Sequence, residues 1–319
     1  TINGSSGPLA EDTQMKSDYK DSKEAEVAVS AGKEHGDMGE GKTTRGLKWW
    51  HVAATVFMGL QAGIINASPV DIDYPSAVGY PDRSNSQGPR GEINVRKVGS
   101  VGVQSLIVTF LALAAVDHFL VAIIGFCMPQ TFRRWFLEYE ANPLRWIEYS
   151  VSASIMSVLI AILTGVYDVH LLFLVGVSTG ICNLLGIAIE LLPRPYLSLN
   201  RKDYLMSSDD ANTFVLGTDI VSLLRMVGVF LFSIASVSLI TGWIVILFYF
   251  SQGSPPDFVY GAFIGTIIAY STFAINMWLE RFNQYYDFVK AEKIYIILSF
   301  TAKTFLAWDV YGGLKAGED

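Results

Sequence analysis

The chain has 319 residues, of which 51% are hydrophobic and 17% charged, with a formal net charge of −7. A soluble domain carries about 25% charged residues, so the composition argues against one soluble core and for a bilayer as solvent. The acidic balance offers no surface for nucleic acid. The only two cysteines, Cys127 and Cys182, sit in apolar runs and read as small buried thiols, not as a disulfide or metal ligands.

Residues 1–48 hold seven Lys/Arg and nine Asp/Glu with few large apolar side chains. Such a segment cannot bury enough apolar area to offset its ordering entropy, so 1–45 is expected to be a disordered tail before a single membrane domain over 46–319. No apolar stretch of the signal-peptide kind follows its charges. Seven segments then approach the roughly 20 mostly apolar residues that a spanning helix needs: 48–67, 99–128, 144–166, 169–192, 220–250, 257–279 and 290–312. The fifth and sixth are the cleanest, since no charge occurs from Met226 to Pro256 or from Phe258 to Leu279. Backbone polar groups in hydrocarbon must be satisfied within the segment, so the expected fold class is an all-α membrane protein, a seven-helix bundle.

Orientation follows from Lys and Arg near the span ends. With the N-terminus inside, that side holds Lys33, Lys42, Arg45, Lys48, Arg133, Arg134, Arg145, Arg194, Arg201, Lys202, Arg281, Lys290 and Lys293, thirteen in all. The other side holds Arg83, Arg90, Arg96, Lys97 and Lys315, only five. A cytoplasmic N-terminus and an extracellular C-terminus are expected, the reverse of the usual seven-helix receptor. The connection 68–98, rich in Pro, Gly, Asp and Ser, is then extracellular. Its Tyr74-Pro75, Tyr80-Pro81 and Gly88-Pro89 steps suit a small ordered flap or a disordered loop.

An ionisable residue inside a span marks a functional site, since its insertion costs at least about 2.5–3.5 kcal/mol. In chain order, Gln61 in the first span is a polar candidate, and Asp117-His118 interrupts the second. Helical neighbours point about 100° apart, so one of that pair faces a given site. His118 titrates near neutrality and suits proton uptake, or is a neutral hydrogen-bonded core residue. Glu148 opens the uncharged run of the third span, either as a site carboxylate or as an acid at a helix N-terminus beside Arg145. Glu190 and Arg225 lie toward the inner ends of the fourth and fifth spans. They suit an ion pair, a carboxylate on a proton route, or two interfacial charges reaching water.

The seventh span carries the sharpest feature. Lys303 is the only charged residue between Lys293 and Asp309. It stands about 13 residues, or about 20 Å, into its helix, too deep to reach water easily. Such a lysine pairs with an acid, loses its proton, or forms a Schiff base with an aldehyde. Glu148 is its natural partner: about 8 Å into its own helix, it can be met by a lysine leaning back toward its helix N-terminus. Ser299, one turn before Lys303, either bonds the lysine nitrogen or its own helix carbonyl. Trp308 reads as packing or as site aromatic.

The segments Arg145-Trp146-Ile147-Glu148-Tyr149-Ser150, Phe258-Val259-Tyr260-Gly261 and Glu292 to Trp308 resemble heliorhodopsins, the inverted branch of the microbial retinal proteins. The resemblance runs from about residue 48 to the C-terminus and implies a dimeric, rhodopsin-like seven-helix photoreceptor that binds all-trans retinal through a protonated Schiff base. It implies Lys303 as the retinal lysine, Glu148 as counterion and Ser299 beside them, with Ser154, Met156 and Trp308 as further cofactor contacts. His118 matches a histidine of the polar cavity near the counterion, and the loop 68–98 suits the dimer contact. Two departures stand out. Family members typically have a histidine three residues before the first-span glutamine, where this chain has Met58, while His51 lies a further two turns away. Arg225 and Glu190 have no clear counterpart.

The expected function is light sensing, read out by a shifted conformation, the dimer or an unidentified signalling partner. The alternatives are light-driven or light-gated proton transport through Glu148 and Glu190, with His118, Asp117 and Arg225 near the path, and a retinal-free receptor or carrier. No metal-ligand spacing, nucleophile elbow or phosphate-binding loop points to an enzyme.

Overall fold

The computed structural model describes residues 46–70, 72–81, 93–192, 211–283 and 286–317. The expected tail 1–45, the tip of the 68–98 connection at 82–92 and the basic residues Arg194, Arg201 and Lys202 lie outside the described residues. The chain divides into two compact units, Thr1–Leu47 and Lys48–Asp319. Of the first, only the opening residues of helix α1 (46–67) are described; every later element belongs to the second.

After α1 come strands β1 (Asp73–Pro81) and β2 (Ile93–Gly102), then helices α2 (Val103–Cys127) and α3 (Pro129–Arg133), a short π-helical turn (Arg134–Glu138), α4 (Pro143–Leu163), α5 (Val169–Glu190), α6 (Ala211–Gln252), α7 (Asp257–Phe282) and α8 (Phe288–Ala316). Among the described residues, five helices are long and apolar enough to cross a membrane: α2, α4, α5, residues Ser222–Gln252 of α6, and α7. α1 and α8 occupy the other two predicted spans, and α8 carries Lys303 and Asp309 within its apolar stretch. Outward-facing Phe230, Val237, Ile244 and Phe248 give α6 an apolar surface suited to hydrocarbon.

The chain is not purely helical. Most of the 68–98 connection forms an antiparallel hairpin, with Asp73 opposite Gly102 and a register shift at Ser76/Ala77. β2 runs directly into α2, which is why that helix begins at Val103 and not at 99 as expected. The hairpin rests on the turn between α4 and α5: the Ala77 N–H donates to the Tyr167 carbonyl at 2.8 Å. That turn reverses sharply at Gly165, whose φ of 100° is accessible to glycine.

Polar residues at the helix starts satisfy N–H groups that have no helical partner. The Asn142 side chain accepts from Arg145 N, with Pro143 in the first turn; Asp168 accepts from His170 N and Leu171 N; Asp287 accepts from Lys290 N. The main core joins α1, α2, α4, α5, α7 and α8 through buried Met58, Phe110, Leu159, Val175, Val259 and Leu306. A second cluster of Trp146, Tyr149, Ile189, Met277 and Tyr295 lies toward the end where α4 and α8 begin. Close approach there depends on Gly186, because a β-carbon would come within 2.5 Å of the Trp146 ring.

Asp168 links hairpin, turn and helix. Burial pushes its carboxyl up, but the N–H groups of Leu171, His170 and Gly79, with the His170 ring, outweigh this and hold it below the usual carboxylate value. Its contribution is therefore fully present above the ordinary value and is lost as pH falls through the lowered one. Asp168→Ala is expected to cost about 1 kcal/mol at neutral pH. Thermal unfolding in detergent should show the gap to wild type closing below about pH 4.

Candidate functional site

Lys303 and Ser299 occupy one face of α8 because residues four apart stack along a helix. That face meets α4 at Glu148, and the Lys303 Nζ donates to Glu148 Oε1 at 2.9 Å, to Oε2 at 3.1 Å and to Ser299 Oγ at 3.0 Å. All three residues are buried, Lys303 at 3% and Glu148 at 8% exposure. The ammonium also lies over the Tyr149 ring, 4.9 Å from its centroid. Each charge is thus met at its own site, which a low-dielectric interior demands.

The ammonium ends a cavity between α4, α5, α6, α7 and α8. Trp146, Tyr149, Met156, Phe232, Tyr270 and Phe273 supply its apolar and aromatic walls. Ser152, one turn after Glu148, lines the cavity with a buried Oγ that has no hydrogen-bond partner among the described residues. An elongated apolar molecule with a carbonyl at one end fits this donor set, with the lysine amine as its attachment point.

A second charged layer lies about one turn before Glu148 on α4 and about three turns before Lys303 on α8. Arg145 donates to Glu190 and to Glu292 through its two terminal nitrogens. Glu190 also accepts from the Asn142 N–H and from Trp146 Nε1, each at 2.9 Å, while Arg281 approaches it at 3.6 Å. Glu292 accepts from Asn142 Nδ2 at 2.6 Å. The Arg145 guanidinium stacks on the Tyr295 ring at 3.9 Å. Tyr149 and Tyr295 separate this layer from Lys303, and the Tyr149 hydroxyl donates to the Tyr295 carbonyl at 3.3 Å.

Several expected residues lie elsewhere. Ser154 turns to α5, its Oγ donating to the Ser150 and Gly176 carbonyls at 2.7 Å, and does not line the cavity, whereas Met156 does. Trp308 faces α1, where its Nε1 donates to Gln61 Oε1 at 2.9 Å. Arg225 is exposed on α6, and Glu190 pairs with Arg145 in place of it; at 2% exposure Glu190 does not reach water. Cys127 is exposed, against expectation, and both thiols are free; Cys182 lines the cavity. Of the thirteen basic residues used for orientation, Arg145 and Arg281 are buried in ion pairs.

Asp117 and His118 are both buried, with His118 Nδ1 3.6 Å from Asp117 Oδ2. Met58 fills the core, and His51, seven residues earlier, reaches His118 across the helix pair at 3.1 Å. The distance of His51 from the usual family position therefore does not leave His118 alone. Sequence reading missed Glu292, Arg281 and Asn142 as site residues. The available signal was that Glu292 stands one residue before Lys293 at the head of the uncharged stretch, where it passes for an ordinary first-turn acid.

A helical membrane bundle with a buried lysine at the end of an aromatic cavity defines an integral membrane protein with an internal site for an apolar ligand. The family model described as Heliorhodopsin matches residues 47–208 and 214–314, and the chain belongs to that family. Heliorhodopsins are retinal-binding, light-sensing rhodopsins, not enzymes. Among curated proteins, none matches the chain.

Removing one partner from a buried ion pair leaves an uncompensated charge, at a cost of about 3–5 kcal/mol. Arg145→Leu, which strands Glu292 and leaves Glu190 with Arg281 alone, is expected to lose about that much, seen as a large drop in melting temperature. Glu292→Gln keeps an acceptor for Asn142 and should lose less.

Proposed function

We propose that this protein is a light sensor in which Lys303 carries all-trans retinal as a protonated Schiff base and Glu148 is the counterion. The observation that carries this reading is the buried Lys303–Glu148 pair opening into an aromatic cavity. The bound retinal would supply visible absorption and a double bond that isomerises in light. The protein's own groups do the rest. Glu148 holds a positive charge on the Lys303 nitrogen, Ser299 orients it, and Trp146, Tyr149 and Phe273 exclude water. Loss of the proton from that nitrogen deletes one charge between α4 and α8 and leaves Glu148 without its partner. A local charge change of this kind biases the packing of the helices that carry it.

The charge distribution supports a seven-span topology with 1–45 and the N-terminus in the cytoplasm and the C-terminus outside. On that topology the hairpin is extracellular, and its exposed Val95 and Val98 supply an apolar face for a homodimer. The response is read by that dimer or by a signalling partner.

A light-driven or light-gated proton path through Glu148 and Glu190 is the competing reading, supported by the buried Asp117 and His118, which the lysine charge reaches. Glu190 is held between Arg145 and Arg281 in the ion-pair layer. A sustained photocurrent abolished by Glu190→Gln would overturn the sensor reading.

Borohydride reduction of illuminated, retinal-supplied protein followed by peptide mapping is expected to label Lys303; an unlabelled Lys303 removes the assignment. Glu148→Gln is expected to shift visible absorption to the red, because the negative charge that stabilises the ground state is gone. An unchanged spectrum would remove Glu148 as counterion.

A further inference from the structure

The polar atoms of the cavity wall fall into two groups. At the α8 end, Lys303 and Ser299 meet Glu148. On another side, Cys182 and Asn183 of α5 and Ser236 of α6 also line the cavity. α5 packs against α4 and α6, whereas α8 packs against α7 and α2, so this second group faces the lysine across the bundle. Its depth follows from two close approaches of α5 to α4. A β-carbon at Gly180 would lie 3.2 Å from the Ser150 carbonyl oxygen, and one at Gly186 would lie 2.5 Å from the Trp146 ring. Asn183, midway between those glycines, is therefore level with Glu148, midway between Trp146 and Ser150.

Asn183 Nδ2 donates to the Thr179 carbonyl one turn earlier at 2.9 Å, which fixes the amide with its Oδ1 turned away from that carbonyl. Among the described residues no donor meets this oxygen. Ser236 Oγ donates to the Phe232 carbonyl at 2.9 Å and keeps its capacity to accept. The Cys182 thiol is free and is a weak donor. The wall around them is apolar, with Phe232, Ala235 and Leu239. A hydrocarbon ring placed here leaves the Asn183 oxygen without a partner, which is costly in a dry site. A hydroxyl on that ring answers the whole group: it donates to Asn183 Oδ1 or Ser236 Oγ and accepts from the Cys182 thiol. A keto oxygen has no hydrogen to donate and leaves both acceptors unmet. We propose that the cavity selects a retinal whose ring carries a hydroxyl, held on the α5–α6 side by Asn183 and Ser236. The proposal rests on the retinal reading above and names the substrate class within it. Lys303 and Glu148 keep the roles given there, and the ring hydroxyl adds a second anchor at the other end of the ligand.

The test is a competition on the full chain in lipid, with all-trans retinal and all-trans 3-hydroxyretinal supplied in equal amounts and the bound aldehyde extracted and quantified by chromatography. A hydrogen bond to an otherwise unmet acceptor gives the hydroxylated aldehyde an expected advantage of about threefold to tenfold. Equal or lower incorporation overturns the proposal, and so does the same advantage for the ring-keto analogue. Asn183→Leu combined with Ser236→Ala is expected to form pigment with both aldehydes and to lose the advantage. A full advantage kept by that pigmented double variant removes these two residues as the anchor and overturns the proposal. Within wild type itself, infrared spectra of the two pigments should show an amide side-chain carbonyl band lowered by the hydroxyl; an unmoved band also overturns it. A wild type that forms visible pigment with neither aldehyde overturns the retinal reading itself, which keeps the two failures distinct.

Discussion

A charge inside a membrane-spanning bundle must be met at its own location, because neither lipid nor distant water can solvate it. The Lys303–Glu148 pair obeys this constraint across a separation of 155 residues. It sets the rotation and depth of α8 against α4, since both carboxylate oxygens and Ser299 converge on one nitrogen. The cavity follows from the same arrangement: with the polar atoms gathered at one end, the remaining faces of α4, α6 and α7 can be aromatic and apolar.

Arg145 repeats the solution where α4 begins. Its guanidinium fork meets two carboxylates at once, a geometry that a lysine could not reproduce. Glu190, Asn142 and Trp146 then complete a layer in which buried polar groups share partners from α4, α5, α7 and α8. Such a network is sensitive to the loss of any member, and it shares α4 and α8 with the lysine site. Tyr149 and Tyr295, in contact through one hydrogen bond, are the packing layer between the two. The two charged sites are therefore joined through the same helix pair.

Much of this was legible in the chain. Long uncharged runs located most helices to within a few residues, because hydropathy and helix length are local properties; α6 begins at Ala211, ahead of the expected 220. Lys303 stood out because it is alone, and Glu148 because it opens an uncharged run. The hairpin was not legible: the Tyr74-Pro75 and Tyr80-Pro81 steps, read as turns, lie within strand β1, and the pairing of β1 with β2 and its seat on the α4–α5 turn are contacts between distant residues. Ser154 and Trp308 were misplaced because a position in a motif specifies a helix, whereas the direction of the side chain depends on how that helix is rotated. His51 was discounted on its spacing from Gln61. Spacing along α1 does not say where the neighbouring α2 brings His118.

The sequence by itself pointed to a bilayer as the solvent of this protein, to the approximate extent of its apolar segments, and to a lone lysine within the last of them. Those are matters of composition and local pattern, and they survive any arrangement of the helices. Only the tertiary structure decided that Glu190 answers Arg145 and not Arg225, that His51 meets His118, and that Glu292 lies within reach of both His51 and Arg145. Each of those contacts joins residues far apart in the chain. Its formation depends on helix depth and rotation, which the packing of the whole bundle sets at once.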